Sequence, residues 1–164
     1  MMEKLHFNNG LALVPSRSTD APFIEALFRS TRSFLLNASS DTDFVESLVE
    51  QQLCWQTSGY GHQYPNAMTF IVQLHSERIG RAVVDFSANV AHLVDLMFIP
   101  QAQGKGYGKT VVNALQQAAA KVSVPMTLVV DLSNTAAISM YLNLGFTVES
   151  VKSPSQLMVW YPTN

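Results

Sequence analysis

Charge is scarce in this chain. Ten Lys and Arg and twelve Asp and Glu make up only 13% of its 164 residues, with a formal net charge of −2. There is thus no basic excess with which to hold a nucleic acid backbone by counterion release. Cysteine is nearly absent as well: Cys54 alone rules out an internal disulfide and any multi-cysteine zinc site, and it fits a reducing compartment. No apolar run approaches the roughly 18 uninterrupted residues of a membrane span, and Met1 to His6 lacks the apolar core of a signal peptide. These absences predict a soluble cytoplasmic protein with neither nucleic acid nor membrane as its partner. Hydrophobic side chains, by contrast, make up 48% of the chain, with nine Phe, five Tyr and two Trp. Such a composition excludes disorder. The length suits one core that buries roughly 70% of the unfolded surface, so a single domain over residues 1–164 is expected.

Periodicity and punctuation divide the chain. Leu11 to Val14 reads as a short strand stopped at Pro15, and Ser18-Thr19-Asp20-Ala21-Pro22 offers N-cap chemistry for a helix carrying Phe23, Ile24, Ala26, Leu27 and Phe28. A second helix is predicted to open in Ser39 to Asp43 and to carry Phe44, Leu48, Leu53 and Trp55, before a shaped loop from Ser58 to Asn66. The period then changes. Met68 to Leu74, Ile79 to Phe86 and Ala91 to Ile99 are expected as three antiparallel strands, divided by Ser76-Glu77 and by Ser87-Ala88-Asn89. After Pro100 come a glycine-rich loop, a helix marked by Val111, Val112, Leu115 and Ala118, and a strand from Met126 to Asp131. A helix from Asn134 to Leu144, stopped by Gly145, and strands from Phe146 to Val151 and Gln156 to Tyr161 finish the chain. The order β-α-α-β-β-β-α-β-α-β-β predicts an α/β (α+β) domain. It would be a mixed, mostly antiparallel twisted sheet of about seven strands flanked by about four helices.

The segment Gln101-Ala102-Gln103-Gly104-Lys105-Gly106-Tyr107-Gly108-Lys109-Thr110 joins a strand to a helix with three glycines at alternate positions. Without Cβ, backbone can approach a ligand and adopt positive φ, so successive N–H groups can converge on an anion at the positive end of the next helix. A phosphate or pyrophosphate suits such a loop; a tight turn with no ligand is the alternative that the glycines alone leave open. Two phosphate loops fail on counting. A Walker A loop would need Gly where Gln103 stands. A Rossmann fingerprint needs G-x-G-x-x-G, whereas Gly104, Gly106 and Gly108 spell G-x-G-x-G behind an antiparallel strand.

What does fit is Gln/Arg-x-x-Gly-x-Gly/Ala behind a strand ending in Pro: Gln103, Gly106 and Gly108, with Pro100 upstream. In this the chain resembles the GNAT superfamily of acyl-CoA-dependent N-acyltransferases. The run from Asn134 through Ala137 to Tyr141, followed by Leu144-Gly145-Phe146, resembles the family's second signature, Asn-x-x-Ala-x-x-x-Tyr and then Leu-Gly-Phe. The two motifs occur in the family's order. The resemblance runs from Ile71 to Val151, while the residues before it match only the family's general strand-helix-helix opening.

The resemblance implies an acetyl-CoA-dependent N-acetyltransferase with the GNAT fold. It would move an acetyl group to a primary amine by direct transfer in a ternary complex, with acetyl-CoA as acyl donor and no metal. Backbone amides over Gln103, Gly104, Lys105, Gly106, Tyr107, Gly108 and Lys109 would hold the CoA pyrophosphate. Local charge agrees, since no Asp or Glu falls between Asp95 and Asp131 while Lys105, Lys109 and Lys121 do. The family's fourth strand offers main-chain groups to the pantetheine arm and the acyl carbonyl, which points to Leu96, Met97 and Phe98, beside a gap where the fourth and fifth strands splay beyond a bulge. The same three residues can also serve as sheet core. Asn134 is implied as a contact near the pantetheine and is also a good helix N-cap. Tyr141 is implied as the acid that protonates the departing thiolate, a phenol near 10 being a plausible donor to a thiolate of about 8.5; a buried aromatic is the alternative. Asp95, five residues before Pro100, stands where several family members carry Glu. It is the candidate base, acting through a water or by positioning a cationic acceptor, with Asp85 and His92 as second choices.

No motif names the acceptor. Between Arg32 and Arg78 there is no Lys or Arg, while Asp41, Asp43, Glu46, Glu50 and Glu77 all fall inside. This suggests a cationic small-molecule or peptide amine as acceptor; a solvated acidic helix face is the alternative. Tyr60, His62 and Tyr64 alternate and could form an aromatic lip, while Cys54 and Trp55 are assigned to packing. The last strands could pair in a homodimer. The rival class of function is a catalytically silent acyl-CoA-binding or regulatory module with the same fold.

Overall fold

The computed structural model describes residues 5–7, 9–30, 64–87 and 89–163. Runs rich in β-branched and aromatic residues form the strands, and their register joins them into one sheet. β1 (Leu5–His6), β2 (Leu11–Pro15), β3 (Ala67–Leu74), β4 (Glu77–Phe86) and β5 (Ala91–Phe98) pair in succession, all antiparallel. β6 (Met126–Asp131) joins β5 in parallel, and β8 (Ser155–Trp160) and β7 (Thr147–Lys152) complete the order β1-β2-β3-β4-β5-β6-β8-β7. The mixed, mostly antiparallel sheet expected from the sequence is present. Its eighth strand, β1, is two residues long and leaves no periodic signal.

Three helices lie in the described residues: α1 (Ala21–Ser30), α2 (Tyr107–Lys121) and α3 (Thr135–Asn143). The predicted second helix, with Asp41, Asp43, Glu46, Glu50, Cys54 and Trp55, lies outside them, as do Tyr60 and His62. One turn is shifted from the expected Ser76-Glu77. His75 and Ser76 take φ of 48° and 71°, so they form the hairpin tip, and Glu77 already pairs with Leu74.

The main core lies between the sheet and the helices α2 and α3. Val111, Val112 and Leu115 present one face of α2 to Val84, Leu93, Leu128 and Met158, all buried in a single cluster. On the opposite side of the sheet Ile71 and Val83 are buried, and α1 lies against β4 with Leu27 and Phe28 buried.

The parallel pairing of β5 and β6 stops early: only Ala91 to Leu93 pair with Met126 to Leu128. Beyond that point β5 keeps β4 and β6 keeps β8, and the two facing edges carry no ladder. A bulge marks the place. The register passes from Val84↔Leu93 to Val83↔Asp95, leaving Val94 as the extra residue. Its consequence is a change of phase. Leu93 and Leu96 both join the core beneath the helices, while His92 and Asp95, opposite Asp85 and Val83, both face the other side.

Candidate active site

The loop before α2 leaves amides free. Gly106 stands at the helix N-cap with φ of +84° and Gly104 has φ of +73°; no side chain caps the helix. The amides of Tyr107, Gly108 and Lys109 precede the first helical bond, which Thr110 N donates to Gly106 O at 3.2 Å. They therefore form the positive end of α2. A Cβ at Gly104 or Gly106 would meet nothing within 4 Å, so glycine is favoured there by backbone conformation alone and the surface stays open to a ligand. At Gly108 a Cβ would sit in ordinary contact, 3.4 Å from Met140 Sδ and 3.6 Å from the Phe98 ring.

This loop walls a cleft of about 410 Å³. Eleven of the twelve residues expected to bind the cofactor line it: Leu96, Met97, Phe98, Gln103, Gly104, Gly106, Tyr107, Gly108, Lys109, Asn134 and Tyr141; Lys105 is exposed and stands outside the lining. Ala102, Ala136, Ala137 and Met140 complete the wall. Of these, Ala137 alone holds a fixed position in the second motif. Gln103 ties the loop to the strand, its side-chain amide donating to the Phe98 carbonyl at 3.0 Å. Asn134 is indeed the cap of α3: its Oδ1 accepts from the Ala137 amide at 3.2 Å.

A second cleft, about 150 Å³, fills the divergence of β5 and β6, between Val94, Asp95 and Leu96 on one side and Val129, Val130 and Asp131 on the other. Leu96, Asn134 and Tyr141 belong to both clefts, which therefore adjoin. Tyr141 is only 8% exposed, its ring tilted against Phe146 at 5.6 Å. Its hydroxyl makes no hydrogen bond among the described residues. Burial, and then the nearby Asp95 carboxylate, push the phenol up to about 12, so it stays protonated at neutral pH.

Asp95 is held by a residue that sequence reasoning missed. Arg81, 5% exposed, donates from Nη2 to Asp95 Oδ2 at 2.5 Å, and the same nitrogen lies 3.9 Å from Met97 Sδ. Arg81 Nε is buried without a hydrogen-bond partner among the described residues. The second-choice bases lie farther along the same face and line neither cleft. His92 stacks on Tyr64 at 5.0 Å; its Nε2 is 3.2 Å from the Tyr64 hydroxyl and its Nδ1 is 2.7 Å from Thr127 Oγ1. Burial lowers its pKa, with the Asp85 carboxylate opposing in part. Asp85 Oδ1 is buried with no hydrogen-bond partner among the described residues. An oxygen so placed costs about 1–3 kcal/mol. Among the described residues no three His, Cys, Asp or Glu converge to hold a metal, and no helix is long and apolar enough to cross a membrane.

Residues 24–146 match the model of the Acetyltransferase (GNAT) family. No curated protein matches the chain by sequence. Solved structures do resemble it. The PaiA N-acetyltransferase of Thermoplasma acidophilum in complex with coenzyme A is 18% identical, covering 92% of this chain and 98% of its own, with a TM-score of 0.69. RimL, a ribosomal L7/L12 alpha-N-protein acetyltransferase in complex with coenzyme A, is 15% identical over 98% of both chains, at 0.71. The spermidine N-acetyltransferase of Vibrio cholerae in complex with CoA and spermine is 19% identical over 94% of this chain and 96% of its own, at 0.65. At such identities the likeness is one of fold.

Proposed function

Because the chain belongs to the acetyltransferase (GNAT) family and is an acetyl-CoA-dependent N-acetyltransferase, we propose that it moves the acetyl group directly to a primary amine within the gap between β5 and β6. One observation carries this reading: β5 and β6 part after Leu93 and Leu128, and the opening is continuous with the glycine loop past Leu96, Asn134 and Tyr141. Main-chain groups on two diverging edges need partners. An extended arm bearing amides, such as pantetheine, supplies them as an added strand would. The free amides of Tyr107, Gly108 and Lys109 then suit the pyrophosphate, with the Lys109 ammonium beside them.

In this arrangement the main-chain N–H groups of Leu96 and Phe98, which point to the gap side of β5, polarise the thioester carbonyl and stabilise the oxyanion as the amine nitrogen attacks, while the Met97 amide is turned to Arg81 on β4. Holding donor and acceptor together removes the bimolecular encounter. The carbon–sulfur bond then breaks, and Tyr141 faces the departing thiolate. A phenol near 12 holds its proton more firmly than a thiol near 8.5. Tyr141 therefore acts first as hydrogen-bond donor to the developing charge. Its proton passes to sulfur as the proton lost by the attacking nitrogen is returned to it. Asp95, with Oδ2 taken by Arg81, keeps Oδ1 for the incoming amine or a water, which suits positioning better than unaided proton abstraction.

Folds of this kind include enzymes named for spermidine and for a ribosomal protein, which supports a small-molecule or peptide amine as acceptor. Thiol release from acetyl-CoA across a panel of primary amines, with the acetylated product identified by mass, tests the reading. Amine-dependent release is expected. Binding of CoA with no turnover on any amine would favour a silent CoA-binding module, and absence of CoA binding would overturn both.

A further inference from the structure

We infer that Asp85 anchors a second positive charge on the acceptor, so that this transferase is built for amines that are at least dicationic. The inference rests on the transferase reading for the amine that reacts; the anchor itself rests on separate observations. Two other carboxylates among the described residues are already satisfied, Asp95 by Arg81 and Asp20 by Arg78 at 2.6 Å. Asp85 has no ion pair among the described residues, and one of its oxygens is buried with no hydrogen-bond partner. The residue as a whole is only partly buried, so it can be reached from solvent.

Its surroundings suit a cation. His92 lies directly opposite on β5, and Thr127 lies opposite His92 on β6. The Tyr64 hydroxyl and Thr127 Oγ1 engage both ring nitrogens, so the imidazole is fixed in place. The stacked rings of Tyr64 and His92 offer π surface beside the carboxylate. Burial keeps His92 on the neutral side, so it adds no opposing charge at neutral pH. Arg81, four residues along β4 on the same face, is committed to Asp95.

Position gives the spacing. Asp85 is two residues along β4 from Val83, whose partner is Asp95 at the mouth of the gap. Two residues advance about 7 Å along a strand and neighbouring strands lie about 5 Å apart, so the anchor and the reacting nitrogen would be on the order of 10 Å apart. A flexible chain with ammonium groups at both ends spans this, whereas a simple alkylamine offers nothing to Asp85.

The test compares α,ω-diamines of increasing length with n-alkylamines of the same length, read as thiol release from acetyl-CoA. A preference in kcat/KM of about 10- to 100-fold for the best diamine is expected, the range of a charge-assisted hydrogen bond, with an optimum in chain length. In Asp85→Asn the ratio of diamine to alkylamine should fall to about one, and Asp85→Glu should retain a preference. Equal use of diamines and alkylamines by the wild type would overturn the inference. So would loss of kcat for both substrates together in Asp85→Asn, which would mark a base. Should no amine turn over, the transferase reading fails by itself, and calorimetric titration of the diamines still decides the anchor. Binding weakened at least about tenfold in Asp85→Asn sustains it, and binding that is absent or indifferent to the substitution overturns it.

Discussion

Tyr141 combines burial, a free hydroxyl and a raised pKa at the junction of two clefts. Tyr141→Phe removes an oxygen that bonds to nothing among the described residues, so melting should change little while kcat falls on the order of 10²-fold. Steady-state kinetics should show KM for acetyl-CoA nearly unchanged; equal turnover would remove Tyr141 from the chemistry. Because its folded pKa, about 12, exceeds the unfolded value near 10, the folded state holds more protons between them. Ionising Tyr141 therefore costs the fold roughly 1–3 kcal/mol, a loss that is absent below pH 10 and complete as pH rises through about 12. His92 has the opposite sign. Its folded pKa is lowered, so stability present above its unfolded value near 6.5 is lost as pH falls below it. His92→Gln should flatten that acid limb in thermal melts recorded across pH 5–7. Tyr141 and Asn134 were legible in the sequence because motif spacing on one helix fixes both. Arg81 was not: one Arg in an apolar strand says nothing of a partner fourteen residues away, and only cross-strand register brings it to Asp95.

Among the elements, the glycine loop offers a paired comparison. Gly106→Ala forces an L side chain into the left-handed region at a cost of about 1–2 kcal/mol. It also sets a methyl group where the cleft is open, and should weaken CoA binding on the order of tenfold in calorimetry. Gly108→Ala, whose Cβ meets only ordinary contacts, should bind CoA nearly as the wild type does. Gly80 governs the far end of β5: a Cβ there would lie 2.5 Å from the Met97 carbonyl oxygen and 2.8 Å from the Phe98 ring. Gly80→Ala should therefore shift that end of the strand, lower stability by about 1–3 kcal/mol and impair CoA binding with it, as chemical denaturation and titration would show. The bulge that sets the gap's mouth was legible only through the family resemblance. Strict alternation from Ala91 and Leu93 would turn Asp95 into the core, and no glycine marks Val94 as the extra residue.

At the scale of the molecule, the antiparallel succession of β3, β4 and β5 was legible in alternation and turn spacing, whereas the insertion of β8 between β6 and β7 left no signal in the sequence. The acceptor half was less legible, because Tyr64, Asp85, His92 and Thr127 come from four separate segments and meet only through sheet register. A formal charge of −2 likewise averages two environments: residues 96–130 contain no acid and bound the larger cleft, while Asp85 and Asp95 lie on the opposite face of β4 and β5. Binding in the cleft should stabilise the whole fold, since a ligand at 100-fold above its Kd adds about 2.7 kcal/mol. For a chain of this length that raises Tm by roughly 5–10 °C. The most direct measurement is a calorimetric titration of CoA into the protein with a matched thermal melt. One saturable site per chain and a rise of that size, both diminished in Gly106→Ala, are expected; a flat titration with an unmoved melting curve would contradict an acetyl-CoA site between β5 and β6.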